Sequence, residues 1–217
     1  MRSAGRTFAA SAATIALLFV SACGEDSNSP VSNVTVHDHD GLNGVVLPTP
    51  YDVPDVTLDD TADRPYDLAT DAKKPLTLVF FGYTHCPDIC QVVMANIASA
   101  LTRLDPDQRE QVGMTFVTTD PARDDTGTLR EYLDRFDPSF DGLTGDLPDI
   151  VRLGQALDVH VEKGNRMQSG GYEVGHGTQI VGVTPDRTAP FVWTEGTDPD
   201  ALADDIGAIL DDKVPNK

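Results

Sequence analysis

Phe80-Phe81-Gly82-Tyr83-Thr84-His85-Cys86-Pro87-Asp88-Ile89-Cys90 is the stretch that decides the fold. The residues that lead into it, Leu76-Thr77-Leu78-Val79-Phe80-Phe81, form a short and continuous apolar run rich in β-branched and aromatic side chains. That composition predicts a strand buried on both faces of a sheet. After Pro87, apolar residues recur at Ile89, Val93, Ile97, Leu101 and Leu104. This is a helical period and predicts a helix over residues 88–104. The Gly-Tyr-Thr turn between them delivers Cys86 to the helix mouth, where unpaired N–H groups and the helix dipole favour a thiolate.

Cys90 lies one turn further in. Residues four apart on a helix share a face, with Cβ atoms roughly 5–6 Å apart. A disulfide wants those atoms about 3.5–4.5 Å apart, so a Cys86–Cys90 bridge needs the first turn to open. Two thiolates on one face can instead clasp a single soft ion without that strain. The three-residue gap leans toward metal capture, whereas a two-residue gap leans toward dithiol exchange.

Working outward, residues 1–22 read as a signal peptide of the lipoprotein type. Arg2 and Arg6 form a positive start, and residues 8–20 form a small-residue and apolar core too short for a confident membrane span. The segment ends in Val20-Ser21-Ala22-Cys23, which resembles a bacterial lipobox. The resemblance implies cleavage before Cys23, lipidation of its thiol, and anchoring to the outer face of the bacterial cytoplasmic membrane. An ordinary signal peptide leaving a free Cys23 is the alternative. Residues 23–43 are rich in Ser, Asn, Asp and Gly and read as a flexible tether. His37 and His39 read there as solvated linker residues. Residues 44–217 are the domain. The formal net charge of −19 excludes an electrostatic nucleic-acid binder and favours cationic partners, metal ions included. An exported chain with only two further cysteines is no disulfide-stapled miniprotein.

Along the domain, residues 45–47, 56–58 and 66–68 predict short strands punctuated by Pro48, Pro50, Pro54 and Pro65. Residues 113–119 predict a second buried strand, ending at Asp120-Pro121-Ala122-Arg123-Asp124. Helices are expected over 126–136, with Leu129, Leu133 and Phe136 inward, and over 148–157. Residues 140–145 and 159–161 read as short extended segments, and residues 162–171 as an exposed loop. Residues 172–183 and 190–194 predict a hairpin around Thr184-Pro185-Asp186-Arg187, and residues 198–210 a closing helix. This order predicts an α/β domain of the thioredoxin-like class: a mixed central sheet, helices on both faces, and a C-terminal hairpin plus helix.

Four blocks resemble the SCO/SenC family in order. They are the Gly82-to-Cys90 stretch, Asp120-Pro121-Ala122-Arg123-Asp124, Leu143-Thr144-Gly145 and Tyr172-Glu173-Val174-Gly175-His176. The resemblance implies a thioredoxin fold, membrane tethering, and a copper ion held by Cys86, Cys90 and His176. It implies a role in building the copper A centre of cytochrome c oxidase, with the copper A-bearing subunit and a copper donor protein as partners. Gln91 stands where the family usually has proline and Gly175 where an aspartate is common, and neither change removes a ligand. Soft thiolates suit Cu(I), and imidazole tolerates both Cu(I) and Cu(II). His85 either tunes the neighbouring thiol or faces solvent. Asp120 and Arg123 either orient the site or a docking partner, or close a salt-bridged loop. Thiol–disulfide exchange, with Cys86 attacking and Cys90 resolving, is the alternative function. Peroxide reduction or redox sensing at Cys86 is a third.

Overall fold

The structure is a computed structural model; it describes residues 41–166 and 172–213, with side chains outside 163–166 and 172–176. An eight-stranded mixed sheet runs in the order β1-β10-β9-β4-β5-β6-β2-β3. Its centre is β4 (Leu76–Gly82) beside β5 (Val112–Thr118), parallel and in register from Leu76↔Val112 to Gly82↔Thr118. β6 (Asp141–Thr144) extends the parallel set. On one side, β9 (Ile180–Val183), β10 (Thr188–Trp193) and β1 (Val45–Asp52) add antiparallel. On the other, β2 (Thr57–Asp60) and β3 (Pro65–Asp67) close the edge.

Every residue of β4 is buried, which is why its sequence runs apolar without alternation. Its two faces serve two cores. Leu76, Leu78 and Phe80 pack with α2 (Ile89–Leu101), α4 (Thr126–Leu133) and α6 (Pro199–Leu210) through Val93, Ile97, Leu129, Leu202 and Ile206. Val79 and Phe81 pack on α1 (Leu68–Asp71) and α5 (Leu147–Ala156) through Leu68, Ile150 and Leu153. Helices therefore cover both faces, as the thioredoxin-like reading expects. No helix among the described residues is long and apolar enough to cross a membrane.

Three expectations are corrected. The helix expected to reach residue 104 ends at Leu101, and a separate short helix follows, α3 (Pro106–Glu110). Asp105 and Gln108 close a capping box there, the Asp105 N–H donating to Gln108 Oε1 at 3.4 Å. Residues 162–166 are not loop: they belong to β7 (Val161–Arg166), which pairs with β8 (Tyr172–His176) as a two-stranded ribbon of its own. The long strand expected over 172–183 is accordingly two strands. β8 pairs with β7, and only β9 enters the main sheet to make the hairpin with β10.

Asn43, at the end of the expected tether, is bound into the domain. Its backbone N–H and its Nδ2 each donate to Asp205 Oδ1 at 2.9 Å. The expected signal peptide, Cys23 and most of the expected tether lie outside the described residues.

Candidate metal centre

Because β4 and β5 are parallel and in register, they end side by side at Gly82 and Thr118. The loops that follow meet at the carboxyl edge of the sheet, where open α/β sheets form their sites. The Thr119 N–H donates to the Gly82 carbonyl at 2.7 Å, and the Thr119 hydroxyl reaches the same oxygen at 3.1 Å. Gly82 leaves a side chain little room: a Cβ there would sit 3.1 Å from Cys90 Sγ and 3.0 Å from the Phe116 ring, so those neighbours would have to give by a few tenths of an ångström. The missing side chain lets the first turn of α2 press its sulfur against the strand end.

The Cys86 N–H donates to the Tyr83 carbonyl at 3.1 Å, which folds the turn back on itself. Asp88, the residue before α2, makes no side-chain cap. Instead the Cys90 N–H donates to Cys86 Sγ at 3.4 Å. Cys86 thus stands outside the helix, and its sulfur occupies the place of a capping oxygen. Neither cysteine is in a disulfide, and both are buried, Cys86 5% and Cys90 0% exposed. The hydrogen bond to Cys86 and then burial push the Cys90 thiol far above the ordinary thiol range, against an opposing backbone bond to Tyr83. The thiol keeps its proton at neutral pH until a cation displaces it.

The second loop braces the first through Asp124, a fully buried carboxylate. Its Oδ2 accepts the Thr84 N–H at 2.9 Å and the Thr118 hydroxyl at 2.7 Å, and its Oδ1 accepts the Thr84 hydroxyl at 2.6 Å. With the Thr84 proton spent on Asp124, the 2.9 Å contact between Thr84 Oγ1 and His85 Nδ1 is a bond donated by the ring. That fixes the proton on Nδ1, which also lies 3.7 Å from Asp124 Oδ1. His85 is otherwise mostly open to solvent. Asp120 is buried and paired with Arg123, whose guanidinium lies 5.7 Å above the Tyr83 ring. Asp120 and Arg123 therefore close a salt-bridged loop and at the same time hold the turn that carries Cys86.

The structure brings Cys86, Cys90, His85, Asp120 and Arg123 to one edge. For His176 it gives backbone only. His176 is the last residue of β8, opposite Val161, and the Gly177 N–H donates to the His160 carbonyl at 2.9 Å. Val161 packs in the same apolar cluster as Phe81, the residue before Gly82. Among the described residues no group of three or more His, Cys, Asp or Glu is placed to hold a metal ion, and the His176 side chain lies outside them. Asp124, Thr84 and Thr118 are site residues that the sequence reading passes over. The only sign of Asp124 there is its place at the end of the 120–124 block.

What is present fits a soft cation. Two buried sulfurs, neither in a disulfide, lie together at the mouth of α2, and thiolates suit a soft ion. The model of the SCO1/SenC family matches residues 54–211. A protein of Stutzerimonas stutzeri named "Putative copper-binding protein" is 33% identical over 147 residues, covering 68% of this chain and 71% of the relative. Against several mitochondrial relatives the chain spans less than half of their length. Among solved structures, Bradyrhizobium japonicum ScoI with copper bound is 28% identical, with a TM-score of 0.64 over 76% of this chain and 99% of that one. The apo Sco1 protein of Thermus thermophilus is also 28% identical, with a TM-score of 0.69 over 80% of this chain and 99% of that one.

Proposed function

The chain belongs to the SCO1/SenC family, and from that premise we propose that it is a copper-binding protein of cytochrome c oxidase assembly. It holds one copper ion as cargo through Cys86, Cys90 and His176 and delivers it to the copper A centre of the oxidase subunit. The observation that supports this reading is the pair of buried cysteines, neither in a disulfide, with the Cys90 amide 3.4 Å from Cys86 Sγ at the mouth of α2. Soft thiolates prefer Cu(I), and an enclosed site protects them from competing oxidation. Arrival of the ion displaces the thiol protons to solvent, so loading is stronger at higher pH. Handing over proceeds by exchange of one ligand at a time with an incoming thiolate. His176, at the end of a ribbon that is separate from the main sheet, is the ligand best placed to let go first.

The same pair fits thiol–disulfide exchange poorly. An attacking cysteine wants exposure and a lowered thiol pKa, whereas both sulfurs are buried and Cys90 is pushed the other way. Residues 1–23 extend the proposal to location: export, then lipid anchoring through Cys23 at the outer face of a bacterial cytoplasmic membrane. The mass of the mature N-terminal peptide tests that part.

The test of the function is competition of the reduced full chain with a chromophoric Cu(I) chelator, beside Cys86→Ser, Cys90→Ser and His176→Ala. Tight binding of one copper that weakens in all three variants is expected. Uptake that ignores both cysteines contradicts the proposal.

A further inference from the structure

α2 is the longest helix among the described residues, and its 13 residues carry no charge. Each of the other five helices carries at least one acidic residue, as a chain of formal net charge −19 leads one to expect. Burial accounts for one side of α2 only. Val93, Met94 and Ile97 are in the core, whereas Gln91, Val92 and Ala95 are exposed. Val92 is 49% exposed, and it is the one large apolar side chain left exposed among the described residues. Residues three and four apart share a side of a helix, so Gln91, Val92 and Ala95 lie together. One turn earlier stand Pro87 and Asp88, both exposed between the two cysteines. The uncharged face therefore runs up to the sulfur pair.

A face without charge, apolar at its centre and charged at its rim, has the composition of a contact core. Asp88 stands at one end of it and the Arg103–Asp200 ion pair at the other. Size and charge decide what covers it. A strip about 20 Å long on a helix about 10 Å wide offers roughly 200 Å². A stable complex needs about 800 Å² from each partner. A second copy of this chain would also bring together two bodies that each carry a charge of −19. A small contact suits a transient partner, and hand-over of a metal requires one. The position agrees: Cys86 is only 5% exposed, and a partner seated on this end of α2 brings its own thiolate to the lip of that sulfur.

We propose that the Gln91–Val92–Ala95 face of α2 is the docking surface for the protein that receives the copper, whose contact is uncharged and apolar at its centre with a basic group opposite Asp88. The proposal rests on the copper reading above and names the surface on which that hand-over takes place. Val92 anchors the contact and does not touch the metal.

Val92→Glu tests it. Glutamate is a good helix former, the position is exposed, and the three proposed ligands are untouched. Gln155→Glu is the control, since it adds the same charge at an exposed position of α5. Full-length chain loaded with Cu(I) is mixed with the soluble copper A domain of the oxidase subunit, and the copper in each separated protein is followed with time. Val92→Glu should match wild type in melting temperature and in chelator competition for Cu(I). Its transfer should slow about tenfold, because a charge is stranded in the contact core. Gln155→Glu should transfer as wild type does. Transfer by Val92→Glu at the wild-type rate overturns the proposal, and so does equal slowing in Gln155→Glu, which would assign the effect to net charge. A wild-type dimer in sedimentation that Val92→Glu splits also overturns it, in favour of a second copy on this face. Wild type that takes up no Cu(I), or passes none to the copper A domain, sinks the copper reading and this one together, whereas wild-type transfer matched by Val92→Glu sinks this one alone.

Discussion

Two buried carboxylates in this domain are built alike and do different work. Asp124 accepts the Thr84 amide and the hydroxyls of Thr84 and Thr118. Asp205 accepts the Asn43 amide and side chain, the Gly44 amide at 2.8 Å and Trp193 Nε1 at 2.8 Å. Neither has a lysine or arginine partner among the described ion pairs, so each buried charge is met by neutral donors. Asp205 ties the start of the domain and β10 to α6, far along the chain and walled by Trp193. A Cβ at Gly44 would lie 2.3 Å from the Trp193 ring, so that junction closes tightly. Asp124 ties two loops at the edge of the sheet, next to the largely exposed His85 and the sulfur pair. A satisfied buried carboxylate is thus no mark of a site in itself. It becomes part of one only through what its donors carry, here the turn that presents Cys86.

The comparison breaks or sharpens under substitution. Asp205→Ala should have the largest effect on stability, about 4 kcal/mol in urea unfolding, because it strands several buried N–H donors at once. Cu(I) affinity of the folded fraction should not change. Asp124→Ala should lower stability by about 2 kcal/mol and weaken Cu(I) binding roughly tenfold to a hundredfold, as loss of the support behind a metal ligand does. If Asp205→Ala weakened copper binding as much as Asp124→Ala, the division of labour drawn here would be wrong. The smallest effect concerns pH. The Cys90 thiol is raised in the folded protein by the Cys86 hydrogen bond and by burial. The folded state therefore binds more protons than the unfolded one above the ordinary thiol range of about 8.5. Stability from this group is complete below that range and is lost as pH rises beyond it. Reduced, metal-free protein should show a falling unfolding free energy above about pH 8.5, and Cys90→Ala should flatten the fall.

Much of this was legible in the chain because the centre of the sheet is buried on both faces. β4 and β5 show as unbroken apolar runs, and α2 by its period through Val93, Ile97 and Leu101. The cysteine pair shows by spacing alone. β7 escaped because Glu162-Lys163-Gly164-Asn165-Arg166 has no apolar alternation; its strand state comes from pairing with β8, a long-range event. α3 has no buried residue to give it a period, although Asp105-Pro106 and Gln108 carry a start signal. The role of Asp124 depends on the parallel register that sets Gly82 beside Thr118, and no local pattern encodes that.

The central claim is that one copper ion is held by Cys86, Cys90 and His176. X-ray absorption at the copper edge of the loaded, reduced protein tests it most directly, with His176→Ala measured alongside. The account predicts a shell of two sulfurs and one nitrogen in wild type, with the nitrogen lost and both sulfurs kept in the variant. A shell of four sulfurs, or a nitrogen that survives the loss of His176, would contradict it.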